Sequence, residues 1–444
     1  ATISKSSIRA WFFSMDRDLL KQVILEQHEY KLPQDYIERE INSVITRLLV
    51  GDSILIITGV RRSGKSVVLQ NIRQQQSEAD YYINFDDDRL VNFGLEDFQT
   101  LYEVFIELFG EQKSFYFDEI QNIPDWERFV RRLHDQGNKI IITGSNASML
   151  SKELGTRLTG RHVAVTVYPF SFREFVMFKN PSLLVSLEKN TQTILITKQK
   201  GLLSGLFNEY LQIGGIPEYV RHKQPEYLQA LYENIIYRDI IVLNKLNKPK
   251  ELKQLVFYVA SNIGKSSSFN ALRKMLQLGN ASTISEYFGY LEDSYLCFIL
   301  NRYSTSIKKQ IMSEKKQYII DHGLARLIGF RHSDDFGRIL ENIVFIELKR
   351  RGYNVYVHHE TKECDFVIQQ DNHITAAIQV CKNMDAPETK EREYKGLLDA
   401  MICYKLDKGL ILTEAMEKTD IIKTDAKIYN VVIMPVWKWL LING

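Results

Sequence analysis

Gly59-Val60-Arg61-Arg62-Ser63-Gly64-Lys65-Ser66 fits the pattern GxxxxGK[ST]. Its surroundings make it decisive: the apolar run Ile54 to Ile57 comes just before it, and the amphipathic stretch VVLQNIRQQ starts at Val67. A strand, a glycine-rich turn and a helix in that order aim backbone N–H groups and a positive helix N-terminus at one anion. Gly59 and Gly64 permit the turn, and the N–H groups from Val60 through Arg61, Arg62 and Ser63 to Val67 line it. Lys65 would bridge the β- and γ-phosphates of ATP, and the Ser66 hydroxyl would ligate Mg²⁺.

The second half of such a site is a strand ending in acid, and Phe115-Tyr116-Phe117-Asp118-Glu119 supplies it. Asp118 would hold Mg²⁺ through Ser66 and water, and Glu119 would act as general base on the attacking water. A third strand ends in Thr143-Gly144-Ser145-Asn146, at the carboxyl edge where open α/β sheets bind ligands. Asn146 or Ser145 could orient the hydrolytic water, or cap the helix that follows. Arg157 and Arg161 are candidates for an arginine that offsets charge on the transferring γ-phosphoryl group.

The chain has 444 residues, about three times an ordinary domain. Its 45 % hydrophobic and 25 % charged content excludes a disordered or low-complexity chain. Cys297, Cys364, Cys381 and Cys403 show no CxxC spacing, so free thiols in a reducing cytoplasm are expected. No apolar stretch approaches the ~18 residues of a membrane span, so a soluble protein without membrane contact is expected. The net charge is only +2, yet residues 200–316 carry 16 Lys and Arg against 10 Asp and Glu. That basic excess suits a DNA contact, or simply solvated helix faces.

Up to Phe178, apolar runs alternate with amphipathic segments, as in a layered α/β domain with a largely parallel sheet. The middle is mostly helical, and beyond Tyr318 the mixed α/β pattern returns, with a final strand expected around Trp437 and Trp439. The expected division is a leader at 1–19, a P-loop α/β domain at 20–200, a helical lid and winged helix at 201–317, and an α/β domain at 318–444.

The segments GVRRSGKS, YFDEIQN, WERFVRRL, IITGSNASMLSKELGTRLTGR and YPFSFREF, in that order, resemble the bacterial and archaeal AAA-type ATPases that carry a C-terminal domain of unknown function, relatives of the origin-recognition and STAND ATPases. GGIPEYV (Gly214 to Val220) and YIIDHGLARLIG (Tyr318 to Gly329) extend the resemblance through most of the chain. It implies the roles above for Lys65, Ser66, Asp118, Glu119 and Asn146, and makes Arg161 a finger reaching a neighbour's nucleotide in a homo-oligomer. A lid arginine of the origin-recognition type is not evident in Gly214 to Glu218.

Between Ser268 and Ser304 the text reads as helix, turn, helix and two short strands, which looks like a winged helix-turn-helix. Its second helix carries Glu286, Glu292 and Asp293 and no Arg, so DNA binding competes with a protein-packing role. In the tail, Glu341, then Asp365, then Gln379-Val380-Cys381-Lys382 resemble the restriction-endonuclease-like fold. A working site of that kind needs an acid where Gln379 stands and a lysine where Cys381 stands. Lys382, one residue on, turns to the other face of a regular strand. An inactive, nuclease-derived module is therefore expected, with an ATP-coupled nuclease as the alternative. Cys381 reads as a small buried thiol, and the adjacent His358 and His359 point to opposite faces and cannot chelate one ion. A slow nucleotide-gated switch or sensor, binding a protein or small molecule, is the rival to a DNA-coupled ATPase.

Overall fold

Five consecutive buried residues, four of them Ile or Leu, make β1 (Ile54–Thr58) an inner strand of a five-stranded sheet. The others are β2 (Tyr81–Asn84), β3 (Ser114–Asp118), β4 (Lys139–Thr143) and β5 (His162–Thr166), in the order β2-β3-β4-β1-β5, and every neighbouring pair is parallel. Parallel strands need crossovers, and the helices Lys65–Gln75, Asp97–Phe109 and Trp126–Asp135 supply them. Because β4 lies between β1 and β3, the carboxyl ends of these three strands gather at one edge. This is the arrangement expected of a P-loop NTPase α/β domain. The computed structural model describes residues 15–75, 80–145, 161–189, 197–330, 336–423 and 427–442. Asn146 and Arg157 lie outside them, as does most of the expected leader. The helix Arg17–His28 starts before residue 20 and pairs Arg17 with Glu103 and Glu107, so the end of that leader packs on the first domain.

Helices fill the middle, including a rare eight-residue π-helical stretch, Ile235–Val242. The expected helix pair is Phe269–Met275 and Ala281–Asp293. It is followed by β7 (Cys297–Leu300) and β8 (Lys315–Ile319), which form an antiparallel sheet with the two-residue β6 (Ser266–Ser267), in the order β6-β8-β7. The expected boundary at 317/318 thus falls inside a strand.

The last sheet has six strands in the order β13-β14-β12-β11-β10-β9: β9 (Asn354–His359), β10 (Glu363–Gln370), β11 (His373–Val380), β12 (Lys408–Thr413), β13 (Lys418–Lys423) and β14 (Ile428–Pro435). The helices Phe336–Arg350 and Pro387–Cys403 pack on it. The final strand expected around Trp437 and Trp439 is instead the helix Val436–Leu441. The two tryptophans mimic strand alternation, but Pro435 stands before the first turn, and Val436, Trp437, Trp439 and Leu440 are all buried, a spacing of three and four. Among the described residues, no helix is long and apolar enough to cross a membrane. Cys297, Cys364, Cys381 and Cys403 are free thiols, and only Cys403 is exposed.

Candidate functional site

The phosphate turn is held from behind. Gly59 has φ +137°, and a Cβ placed there would lie 2.2 Å from the Val167 carbonyl oxygen, so the close approach of β1 to the segment after β5 requires glycine. Arg39, buried and far upstream, donates to the Ser63 carbonyl (2.8 Å), the Tyr168 carbonyl (2.7 Å) and Glu174 Oε1 (2.9 Å). Glu174 completes a capping box with Ser171 within the segment YPFSFREF. That segment therefore serves the P-loop through Arg39, a residue that sequence reading missed because nothing local marks it.

Asp118 is fully buried at the end of β3. Its Oδ1 accepts from the Ser66 hydroxyl at 3.1 Å and from the Thr143 hydroxyl at the end of β4. Burial first, and then the neighbouring Glu119, push its carboxyl up to about 6, against the two hydroxyls. Glu119 has φ +52°, an uncommon backbone for a non-glycine residue, and its N–H donates to Thr143 Oγ1 at 3.0 Å. Burial would raise the Glu119 carboxyl, but the Lys65 ammonium at 3.6 Å and the Gln121 amide at 2.6 Å hold it below the ordinary glutamate value. The pair is thus electrostatically divided: Glu119 is the carboxylate that stays ionised, and Asp118 gains its charge most readily when a cation is near.

A cavity of about 390 Å³ opens on these groups, with Lys65, Ser66 and Glu119 at one end and Tyr30, Tyr36 and Ile37 among its other walls. Lys65 Nζ donates to the Val60 carbonyl at 3.3 Å, and the buried Ser63 hydroxyl has no hydrogen-bond partner among the described residues. An unpaired buried hydroxyl and an ammonium beside a glycine turn fit a phosphate, and an acid–hydroxyl pair fits a hard divalent cation. The middle region reaches in as well. Arg61 makes a two-pronged pair with Asp239 of the π-helical stretch (3.0 and 2.7 Å), and Arg62 donates to the Tyr227 hydroxyl at 3.1 Å. Arg221, just after GGIPEYV, lines the cavity and pairs with Asp35 at 2.6 and 2.7 Å.

Other expected residues lie elsewhere. Arg161 is at the opposite edge of the sheet, where its carbonyl accepts from the Ile54 N–H at 2.9 Å and its guanidinium pairs with Asp135 on the surface. Ser145 stays with the site, buried 3.5 Å from the Gln121 amide that donates to Glu119, and its hydroxyl also helps to hold the Glu119 carboxyl down. In the last domain, Glu341, Asp365 and Gln379 do come together: Gln379 Oε1 accepts from the Asp365 N–H at 3.2 Å, and Lys316 Nζ lies 2.9 Å from Glu341 and 2.8 Å from Asp365. Lys382 lies beyond β11, exposed, with its ammonium 5.2 Å from the centre of the Phe336 ring. Sequence reading missed Lys316 and also Glu393, which accepts from the Gln379 amide at 2.6 Å. The available signal for Lys316 was its register, since Lys316, Tyr318 and Ile320 fall on one face by alternation. His358 is buried between Asp399 and the Tyr404 hydroxyl, each at 2.9 Å, and His359 is exposed.

Residues 51–176 match the family model of the AAA domain, and residues 204–334 match that of a domain of unknown function, DUF8612. An uncharacterized protein of Methanocaldococcus jannaschii is 35 % identical over 439 residues, which cover 95 % of each chain. An uncharacterized protein of Haemophilus influenzae is 34 % identical over 387 residues, covering 83 % of this chain and 91 % of its own. Among solved structures, AMPPCP-bound DnaA from Aquifex aeolicus is similar at 15 % identity and a TM-score of 0.25, over 58 % of this chain and 89 % of that one, a likeness too loose to carry a functional reading. The chain belongs to the same family as these archaeal and bacterial relatives, and its nucleotide-binding unit is an AAA-type P-loop domain.

Proposed function

We propose that the chain is a Mg²⁺-dependent ATPase in which an AAA-like domain at 20–200 acts on a lid and winged helix at 201–317 and on an inactive restriction-endonuclease-like module at 318–444. The observation that carries this reading is the convergence of Lys65 and Ser66, after β1, with Asp118 and Glu119, at the end of β3, where Lys65, Ser66 and Glu119 line one cavity and Asp118 accepts from Ser66. Lys65 and the N–H groups from Gly59 to Val67 hold the phosphates. Ser66 and Asp118 would hold Mg²⁺, which when bound offsets charge on the β- and γ-phosphate oxygens. Glu119, kept ionised by Lys65, takes the proton of the attacking water, and Asn146 orients that water. Arg161, remote from its own nucleotide site, acts on a neighbour's in a homo-oligomer.

Steady-state ATP hydrolysis with Mg²⁺ tests this. Lys65→Ala loses nucleotide binding, and undiminished affinity would remove the P-loop assignment. Glu119→Gln keeps binding and loses turnover by ~100-fold or more, so full turnover would send the base elsewhere. Mixing Arg161→Ala with Lys65→Ala subunits restores activity if the finger acts between subunits, and no rescue at any ratio removes that role. Duplex DNA at low salt stimulates turnover if the basic middle is a DNA interface, and the stimulation falls as salt rises. A second reading, a slow nucleotide-gated switch, is favoured by the Arg61–Asp239 and Arg62–Tyr227 contacts that join the P-loop to the middle region. Turnover that is slow and indifferent to DNA selects it.

A further inference from the structure

Lys316 belongs to the middle sheet by pairing, since β8 lies between β6 and β7, yet its side chain ends inside the acid set of the last domain. The side chain is 3 % exposed, and its ammonium lies 2.9 Å from Glu341 Oε1, 2.8 Å from Asp365 Oδ1 and 2.8 Å from Glu363 Oε1. The ammonium donates to Glu341 and Asp365, and Glu363 faces it as a third ion-pair partner. The acids are braced by further partners. Asp365 Oδ2 accepts from the Val380 N–H at 2.9 Å, and Glu341 Oε1 accepts from the Tyr318 hydroxyl at 2.7 Å. Gly264, at φ +71°, leaves space for Glu341, whose Oε2 would lie 2.8 Å from a Cβ placed there.

We propose that Lys316 is a tethered cation that stands where the carboxylates of the last domain would otherwise hold a divalent metal ion, so that the native chain keeps this centre closed to metal and removing the ammonium opens it. Three carboxylate oxygens around one point are a hard-cation ligand set. Their distances of 2.8–2.9 Å from the nitrogen are those of an ion pair, whereas a divalent ion of this class would draw them in to about 2.1–2.5 Å. In keeping with that wider spacing, no group of three or more His, Cys, Asp or Glu side chains among the described residues is arranged to hold a metal ion. A lysine that assists a metal-bound water must stand beside the ion. Lys316 stands between the acids, bonded to Glu341 and Asp365 and paired with Glu363.

Burial would lower the Lys316 ammonium, but Asp365 and Glu341 outweigh it and hold the group well above the ordinary lysine value, so it stays charged. Burial pushes Glu341 up to about 7, which reduces the excess of negative charge around that single ammonium. Because the cation comes from β8, the centre also staples the middle sheet to the last domain. This is independent of whether the P-loop hydrolyses ATP.

The test is Mn²⁺ binding by nucleotide-free, full-length protein, followed by the electron paramagnetic resonance of free Mn²⁺. Lys316→Ala is expected to take up one Mn²⁺ per chain beyond wild type, to melt at higher temperature with the ion, and to lose both effects when Asp365→Asn is added. Wild type shows no Asp365-dependent uptake. Asp365-dependent uptake by wild type would overturn the proposal, because the lysine would then sit beside a metal. So would the absence of extra uptake in a Lys316→Ala protein that still binds nucleotide. If Lys316→Ala folds only in Mn²⁺, that rescue supports the proposal. If it folds in neither condition, Lys316→Met, which keeps the volume of the stem and leaves all three carboxylates, decides, and Asp365-dependent uptake there supports the proposal while its absence overturns it.

Discussion

Replacing Arg39 with Met removes a buried cation while keeping most of the volume of its stem, which isolates three interactions. The guanidinium is 5 % exposed and donates to Glu174, the Ser63 carbonyl and the Tyr168 carbonyl. Breaking a buried ion pair costs about 3–5 kcal/mol, because the remaining charge stays in place without its partner. Glu174 keeps two backbone donors after the change, Ser171 N–H at 3.0 Å and Glu40 N–H at 2.9 Å, which places the loss at the lower end, about 3 kcal/mol. Adding Glu174→Gln removes the stranded charge and should recover about half of that. The Ser63 carbonyl also loses its donor, which loosens the phosphate turn and weakens nucleotide binding by about tenfold, equivalent to 1.4 kcal/mol. Urea unfolding of the two variants, with a fluorescent nucleotide to report the Kd, measures both effects. An Arg39→Met protein with an unchanged unfolding midpoint and nucleotide affinity within about threefold of wild type would refute the view that this side chain holds the P-loop.

Gly59→Ala must displace either the Val167 carbonyl or β1, since the added Cβ lies 2.2 Å from that oxygen. The expected result is at least about tenfold weaker nucleotide binding with secondary structure retained by circular dichroism. His28 is held down at about 4 by burial first and then by Arg73, against an ordinary value near 6.5, while stacked on Phe109. As pH falls from 6.5 to 4 the unfolded chain takes up a proton that the folded one refuses, so stability present in full above 6.5 is lost toward 4. His28→Asn should flatten that slope in a pH series of unfolding midpoints, and an unchanged slope would assign it to other groups.

The legible parts of this molecule are the local ones. Gly59, Gly64, Lys65 and Ser66 are read from eight adjacent residues, and Asp118-Glu119 from the end of one apolar strand, because backbone geometry over a single turn dictates those residue types. Arg39 and Lys316 are illegible for the opposite reason. Each is one cation whose partners come from several distant elements, and an isolated Arg or Lys in a sequence reads as solvated surface. Trp437 and Trp439 misled through a spacing of two that a six-residue helix can also present when both of its sides are covered. The tail acids Glu341 and Asp365 were found by pattern, but what stands between them comes from β8, which the pattern assigned to another domain.

The quoted motifs are therefore of two physical kinds. The segments YPFSFREF, GGIPEYV and YIIDHGLARLIG, far apart in sequence, meet at one junction: Phe170 N–H donates to the Gly215 carbonyl at 2.7 Å, and Gly215 N–H donates to Asp321 at 2.6 Å. The helix Phe336–Arg350 seats on that junction. Asn342 makes two bonds to Ile319, and Arg350 donates to the Pro169 carbonyl. At this seat each of these polar groups has a partner from another motif, so the sequence pattern there records close packing of three regions against one helix. At the P-loop the Ser63 hydroxyl and, nearby, Gln121 Oε1 are buried without a hydrogen-bond partner among the described residues, and a cavity opens beside Lys65. A buried polar group left unpaired costs free energy, which a ligand that supplies the missing partner recovers. Unsatisfied groups at the P-loop thus mark it off from the motifs whose polar groups pair with one another across the junction, a distinction that the sequence pattern alone does not make.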